Sequence, residues 1–197
     1  MYDDEFELTF DLSDEDKASR APEPEQEPVQ EAAPEPAAET EPPVEAVPEP
    51  AVPAANGRCV LISGGDRGIG AAAARAFWQA GYRVAVLYHT HAEAAAALEK
   101  ALPGLLAVQC DVASRASCEV AFHTVEQAVG HVDVLVSNAG IAQQKLFTDI
   151  TPEEWQHMLD VNLSGAFHLC QLALPGMIRR KAGRILTVSS MWGQTGG

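Results

Sequence analysis

From residue 58 onward, short runs of consecutive apolar residues alternate with longer stretches whose apolar positions recur every three or four residues. The runs predict strands over 58–63, 83–88, 105–110, 132–137 and 184–189. The stretches between them predict helices over 68–80, 91–101 and 114–129, and a long helix over 152–181 broken at Pro175-Gly176. Thr151, Pro152 and Glu154 mark the start of that last helix: a hydroxyl N-cap, a proline in the first turn, and the glutamate of a capping box. Val132-Asp133-Val134-Leu135-Val136 and Arg184-Ile185-Leu186-Thr187-Val188 have too few polar positions for a strand with one wet face, so helices must cover both sides of the sheet. Strict strand–helix alternation with right-handed crossovers gives an α/β fold, a doubly wound parallel sheet in the order 3-2-1-4-5.

Residues 1–56 do not follow this pattern. They hold 17 of the 28 acids, 2 of the 13 bases and ten of the 13 prolines, so the whole formal charge of −15 belongs to them and the remainder is electrically balanced. Residues 21–54 repeat Pro, Glu, Ala and Val without hydrophobic period, the composition of an extended, disordered acidic spacer. Ahead of it Phe6, Leu8, Phe10 and Leu12 alternate with polar residues, as in a solvated acidic arm or a short recognition strand for a basic partner. The expected organisation is therefore a tail over 1–56 and one domain over 57–197, long enough for a packed core. Cys59, Cys110, Cys118 and Cys170 stand too far apart for a zinc spacing and read as buried, reduced thiols; no metal site is expected. The acidic start is unlike a secretion or transit signal and no apolar run has the length of a membrane span, so the cytoplasm is the expected compartment. Neither membrane nor nucleic acid is an expected partner.

Between the first strand and the first helix lies Ser63-Gly64-Gly65-Asp66-Arg67-Gly68-Ile69-Gly70. A strand that ends in a glycine turn aims the unpaired first N–H groups of the next helix at one point, where a pyrophosphate can sit at the positive end of the helix dipole. The Gly-x3-Gly-x-Gly spacing lacks the Gly-Lys-Ser/Thr ending of a P-loop. Ligands of a doubly wound sheet lie beyond the carboxyl ends of its strands. Those ends here carry the glycine turn, Tyr88-His89-Thr90, Asp111-Val112, Ser137-Asn138-Ala139-Gly140 and Ser189-Ser190.

Taken in order, the turn of Gly64, Gly68 and Gly70, the pair Asp111-Val112, Asn138-Ala139-Gly140, Asn162 in the long helix and Ser190 after the fifth strand make 57–197 resemble a short-chain dehydrogenase/reductase, with its Rossmann-type sheet. The resemblance implies a dinucleotide cradle of Ser63, Gly64, Arg67, Gly68, Ile69 and Gly70. It further implies that Asp111 meets the adenine amino group, Val112 the adenine ring, and Asn138, Ala139 and Gly140 the cofactor ribose. Ser190 and Asn162 are the implied catalytic residues, Ser190 donating to a substrate carbonyl and Asn162 holding a relay water by its backbone. Each also has a plainer reading: Asp111 as a helix cap, Asn138 as a turn residue, Ser190 as strand-end polarity.

At the end of the second strand, where an acid would bind ribose hydroxyls, stand Tyr88-His89-Thr90, while Arg67 sits in the glycine turn; this favours NADP(H) over NAD(H). His89 and His91 either assist there or are ordinary surface histidines. The chain is similar to 3-oxoacyl-(acyl-carrier-protein) reductases. Residues 141–151 and Ser189-Ser190-Met191-Trp192-Gly193-Gln194 are closer to the branch that reduces an aminopentanone on elongation factor P. A small or carrier-bound ketone, that factor, and a second copy of the chain through Trp155 to Leu174 are thus the implied partners. The family's Tyr-x-x-x-Lys is missing: the tyrosines are Tyr2, Tyr82 and Tyr88, and the last lysine is Lys181. Loss of a placed general acid costs about 10²–10⁴ in rate. The sequence therefore reads as a C-terminally incomplete reductase, or else as a non-catalytic nucleotide-binding or scaffold protein with an acidic arm.

Overall fold

The structure, a computed structural model, describes residues 54–190. The acidic segment before residue 54, with its Phe6 to Leu12 alternation, and Met191 onward lie outside the described residues. Five parallel strands form one sheet in the order β3-β2-β1-β4-β5. They are β1 (Cys59–Ser63), β2 (Arg83–Tyr88), β3 (Leu106–Gln109), β4 (Val134–Ser137) and β5 (Arg184–Thr187). The predicted order holds, and strand ends lie within two residues of the expected ones, both ends of β2 coinciding.

Burial on both faces explains the apolar runs of β1, β2 and β4; β5 departs from the expectation, since it is the sheet's edge strand and only Ile185 of it packs on the core among the described residues. Side chains of successive strand residues point to opposite faces. Val60, Ile62, Val84, Val86, Val134 and Val136 pack with Ala74 and Trp78 of α1 (Gly68–Gln79) and Leu98 of α2 (Ala92–Ala101). Leu61, Ala85, Leu87 and Leu135 pack on the other face with Phe122 and Val125 of α3 (Arg115–Val129) and with Leu169 and Met177 from the last helix. Gly65 seats the glycine turn on β2: its N–H donates to the Leu87 carbonyl at 3.1 Å, and an added Cβ would lie 2.6 Å from Val86.

The four cysteines are free thiols and three are fully buried. Burial pushes the Cys59 thiol up to about 11. Cys110 and Cys118 have their sulfurs 4.0 Å apart. Contact with the Cys110 sulfur, and burial, push the Cys118 thiol above its ordinary range. It therefore stays protonated and donates to the Val112 carbonyl at 3.5 Å, which ties the first turn of α3 to the end of β3.

The long helix corrects one expectation. It is not broken at Pro175-Gly176: α5 (Gly165–Arg180) runs through Pro175, which already has a helical φ and removes only one backbone donor, while buried Ala173, Gly176 and Met177 hold the turns on either side. The irregularity lies earlier, where a π-helical turn over Asp160–Ser164 separates α4 (Pro152–Leu159) from α5. Packing explains it: Val161 is buried, and a Cβ on Gly165 would come 2.9 Å from Val112, so the chain here must press directly on the end of β3. A 3₁₀ turn over Phe147–Asp149, not foreseen, precedes α4.

The capping box of α4 is complete: Glu154 N–H donates to Thr151 Oγ1 at 3.2 Å and Thr151 N–H donates to Glu154 Oε2 at 2.8 Å. Lys145 Nζ also meets that carboxylate at 2.8 Å, and these two donors, the lysine first, hold the Glu154 carboxyl below its ordinary range. A group depressed on folding stabilises fully above its unfolded pKa and loses that contribution as pH falls through the lower folded value. The start of α4 is therefore expected to loosen first as pH drops below about 4.3, seen as faster amide exchange at Thr151 and Glu154. Unchanged exchange in a Lys145→Met, Glu154→Gln double variant at neutral pH would count against this pairing.

Candidate cofactor cleft

The carboxyl ends of β1 and β4, the two strands that diverge at the switch point, are locked together by two side chains. Ser63 Oγ accepts the N–H groups of Asn138 and Ala139, each at 3.0 Å. Asn138 Nδ2 donates in return to the carbonyls of Ser63 at 3.0 Å and Gly64 at 2.9 Å. Gly64 takes a φ of +60° and Gly68 one of +51°, the left-handed region that glycine enters without a Cβ clash. Gly70 is packed so closely on the turn that a Cβ would fall 2.1 Å from the Gly64 carbonyl oxygen and 2.7 Å from Asn138 Nδ2. The start of α1 is thus pulled onto the end of β1. Arg67, its N-cap residue, is extended and supplies no side-chain cap, so the first N–H groups of α1 are not closed off from that end.

These amides open on a cleft of about 370 Å³. Its wall includes Gly64, Arg67, Gly68 and Ile69 from the turn, Asp111 and Val112 from the end of β3, and Asn138, Ala139 and Gly140 from the end of β4. Nine of the expected cofactor residues therefore face one space. Ser63 and Gly70 stand behind the wall and shape it. Asp111 is half-buried, and its Oδ1 accepts the Ala113 N–H at 3.0 Å. The cap of α3 is Ser114, which accepts the Ser117 N–H, so Asp111 is not needed for that purpose.

Asn162 lies in the π-helical turn, and its side chain is engaged. Oδ1 accepts the Ile141 N–H at 2.8 Å and Nδ2 donates to the Ile141 carbonyl at 3.0 Å, the pair of bonds a neighbouring strand would have made. Gly140 passes close beneath, where a Cβ would sit 3.0 Å from that Oδ1. The segment from Asn138 to Ile141 is thus pinned at one end to β1 and at the other to the long helix. Ser190 is exposed just past β5, beyond the Val188 N–H that donates to the Ser137 carbonyl at 2.9 Å, and is not part of the cleft wall.

The sequence reading left out Asp66, His157 and Val161, which also line the cleft. Asp66 had a signal of its own, as an acid inside the glycine turn; His157 comes from α4 and Val161 from the π-helical turn, which only the fold brings beside the strand ends. The cleft fits a dinucleotide on two counts: the uncapped amino end of α1 opens on it at Gly68 and Ile69, and Gly64, Gly68 and Gly140 present backbone there with no side chain between.

Comparison with known proteins agrees with this geometry. The family model described as short chain dehydrogenase matches residues 58–197. The acetoacetyl-CoA reductase of Shinella zoogloeoides is 40% identical over 139 residues, covering 71% of this chain and 57% of that protein. The 3-oxoacyl-(acyl-carrier-protein) reductase MabA of Mycobacterium avium is 40% identical over 144 residues, covering 72% and 53%. The crystal structure of gox2181 superposes with a TM-score of 0.65 at 32% identity, covering 70% of this chain and 55% of that one. The chain spans little more than half the length of these curated relatives. A family match that begins where the acidic segment has ended and takes in every residue of the locked cleft leaves one assignment: the chain belongs to the short chain dehydrogenase family.

Proposed function

We propose that the protein is an NADP(H)-dependent ketone reductase whose substrates are 3-oxoacyl thioesters carried on coenzyme A or a carrier protein. The observation that carries this is the lock between Ser63 and Asn138, which holds the amide end of α1 against the cleft. The names of the relatives support the substrate class. The aminopentanone on elongation factor P is the narrower reading that residues 141–151 favour.

In this reading the amides of Gly68 and Ile69 bind the pyrophosphate, where the helix dipole favours negative charge, and Gly70 lets α1 start close against the turn. Asp111 accepts from the adenine amino group, and Val112 packs on the ring. Ala139 and Gly140 bring bare backbone to the ribose. Arg67 faces a 2′-phosphate with a fixed fork of donors. When bound, the nicotinamide supplies a hydride. Ser190 donates to the carbonyl oxygen as negative charge grows there. Asn162 keeps its side chain on Ile141, which leaves its backbone, in a turn where helical bonding is already irregular, to hold a water for proton return. Trp155 of α4, Leu163 of the π-helical turn, and Phe167 and Leu174 of α5 are exposed, and support pairing of two copies there.

Arg67→Ala is expected to raise the Kd for NADPH about tenfold, the worth of one charge-assisted contact, and to leave that for NADH nearly unchanged. Equal Kd values for the two cofactors in the unaltered protein would remove the phosphate preference. Gly70→Ala should lower stability by about 1–3 kcal/mol, as overpacking does, and lose nucleotide binding; an unchanged Tm with unchanged affinity would contradict the cradle. With the gene product at its full natural length, Ser190→Ala should cut kcat for acetoacetyl-CoA by about 10²–10³ at nearly constant KM. No NADPH oxidation by the unaltered enzyme on any 3-oxoacyl thioester or on the aminopentanone would sink the reductase reading.

A further inference from the structure

One corner of the cleft carries polar contacts that the dinucleotide cradle does not explain. Asp66, in the glycine turn, has a side chain only 6% exposed, and its Oδ2 is buried with no hydrogen-bond partner. His91 Nδ1 stands 3.6 Å from that oxygen and 3.2 Å from Thr90 Oγ1. On the far side of the ring, His91 Nε2 is 3.0 Å from Arg67 Nη1. A guanidinium can only donate. Nε2 is therefore the acceptor, and the ring proton is on Nδ1, turned toward Thr90 and Asp66. Asp66, Arg67, Thr90 and His91 all line the cleft, so an acid does reach the end of β2, from the turn rather than from the strand.

A phosphate dianion arriving beside Arg67 changes this balance. The guanidinium donors turn to the phosphate, and Nε2 is left as an acceptor facing an anion. One proton from solvent resolves the conflict: Nε2–H then donates to the phosphate, and the imidazolium rests against the buried Asp66 Oδ2, which has no hydrogen-bond partner. Resting on the reading of a 2′-phosphorylated cofactor, we propose that His91 is a specificity-determining residue which takes up a proton as the 2′-phosphate binds and screens that phosphate from Asp66. The charged and titratable groups facing it are Asp66 and Arg67; His89, Asp111 and His157 line the same cleft. Imidazole changes charge within the range of about pH 5 to 8, so this contribution grows as pH falls. Protonation of a phosphate near pH 6 works the other way, and only a His91 variant separates the two.

The test is calorimetry on the full chain at pH 7, in two buffers of different ionisation enthalpy, with adenosine 2′,5′-bisphosphate and adenosine 5′-monophosphate as ligands. The bisphosphate should bind with net proton uptake and the monophosphate with none. In His91→Gln the preference for the bisphosphate should fall about tenfold and the uptake should vanish. Asp66→Asn should reduce the uptake too, which gives a second reading if the first variant folds poorly by circular dichroism. Uptake that persists undiminished in either folded variant overturns the role of His91 while the phosphate preference stands. Equal affinity of the unaltered chain for the two nucleotides removes the phosphate reading, and this inference with it.

Discussion

A serine hydroxyl and an asparagine amide hold the switch point together. β1 and β4 are neighbours in the sheet, yet the chain leaves their ends toward different layers, one into α1 and the other toward the long helix. Strand pairing stops where the backbones separate, and their polar groups would otherwise need water. The hydroxyl of Ser63 takes two amides from the far strand end, and the Asn138 amide takes two carbonyls from the near one. Four backbone groups at the fork are thereby satisfied by two side chains from within it. The cleft exists because the fork is closed from below.

This dependence makes the glycines legible. Gly70 is small because Asn138 occupies the space beside it, and Gly64 turns left-handed so that its carbonyl can meet the same amide. Bulk at any of these positions pushes against backbone, which cannot move aside as a flexible side chain would.

The strand order and nine residues of the cleft wall could be read from the sequence because they depend on local features: unbroken apolar runs, glycine spacing, and polar residues where those runs end. The capping box of α4 was equally plain, since it needs only Thr151 and Glu154 three residues apart. What escaped was set by distant packing. Pro175 carries the strongest breaker signal in the long helix, but the irregular turn formed at Asp160–Ser164, where Val112 presses on Gly165. His91 was named beside Tyr88-His89-Thr90, but its contacts with Asp66 and Arg67 were not, because those partners come from the glycine turn, on another strand end. The Asn162 side chain was likewise invisible as a clamp, because Ile141 reaches it only through the fold.

The extra residue in the π-helical turn has a geometric effect beyond its own site. Each residue of an α-helix turns the chain by about 100°, so one insertion rotates all that follows relative to all that precedes. α4 and α5 are therefore out of phase with each other. The stripe that α5 lays on the sheet through Leu169, Ala173 and Met177 cannot be extended back along α4, whose residues are free to answer to the loop before it. The two segments present surfaces with different duties, and a change on α4 does not have to be matched in the core-facing stripe of α5.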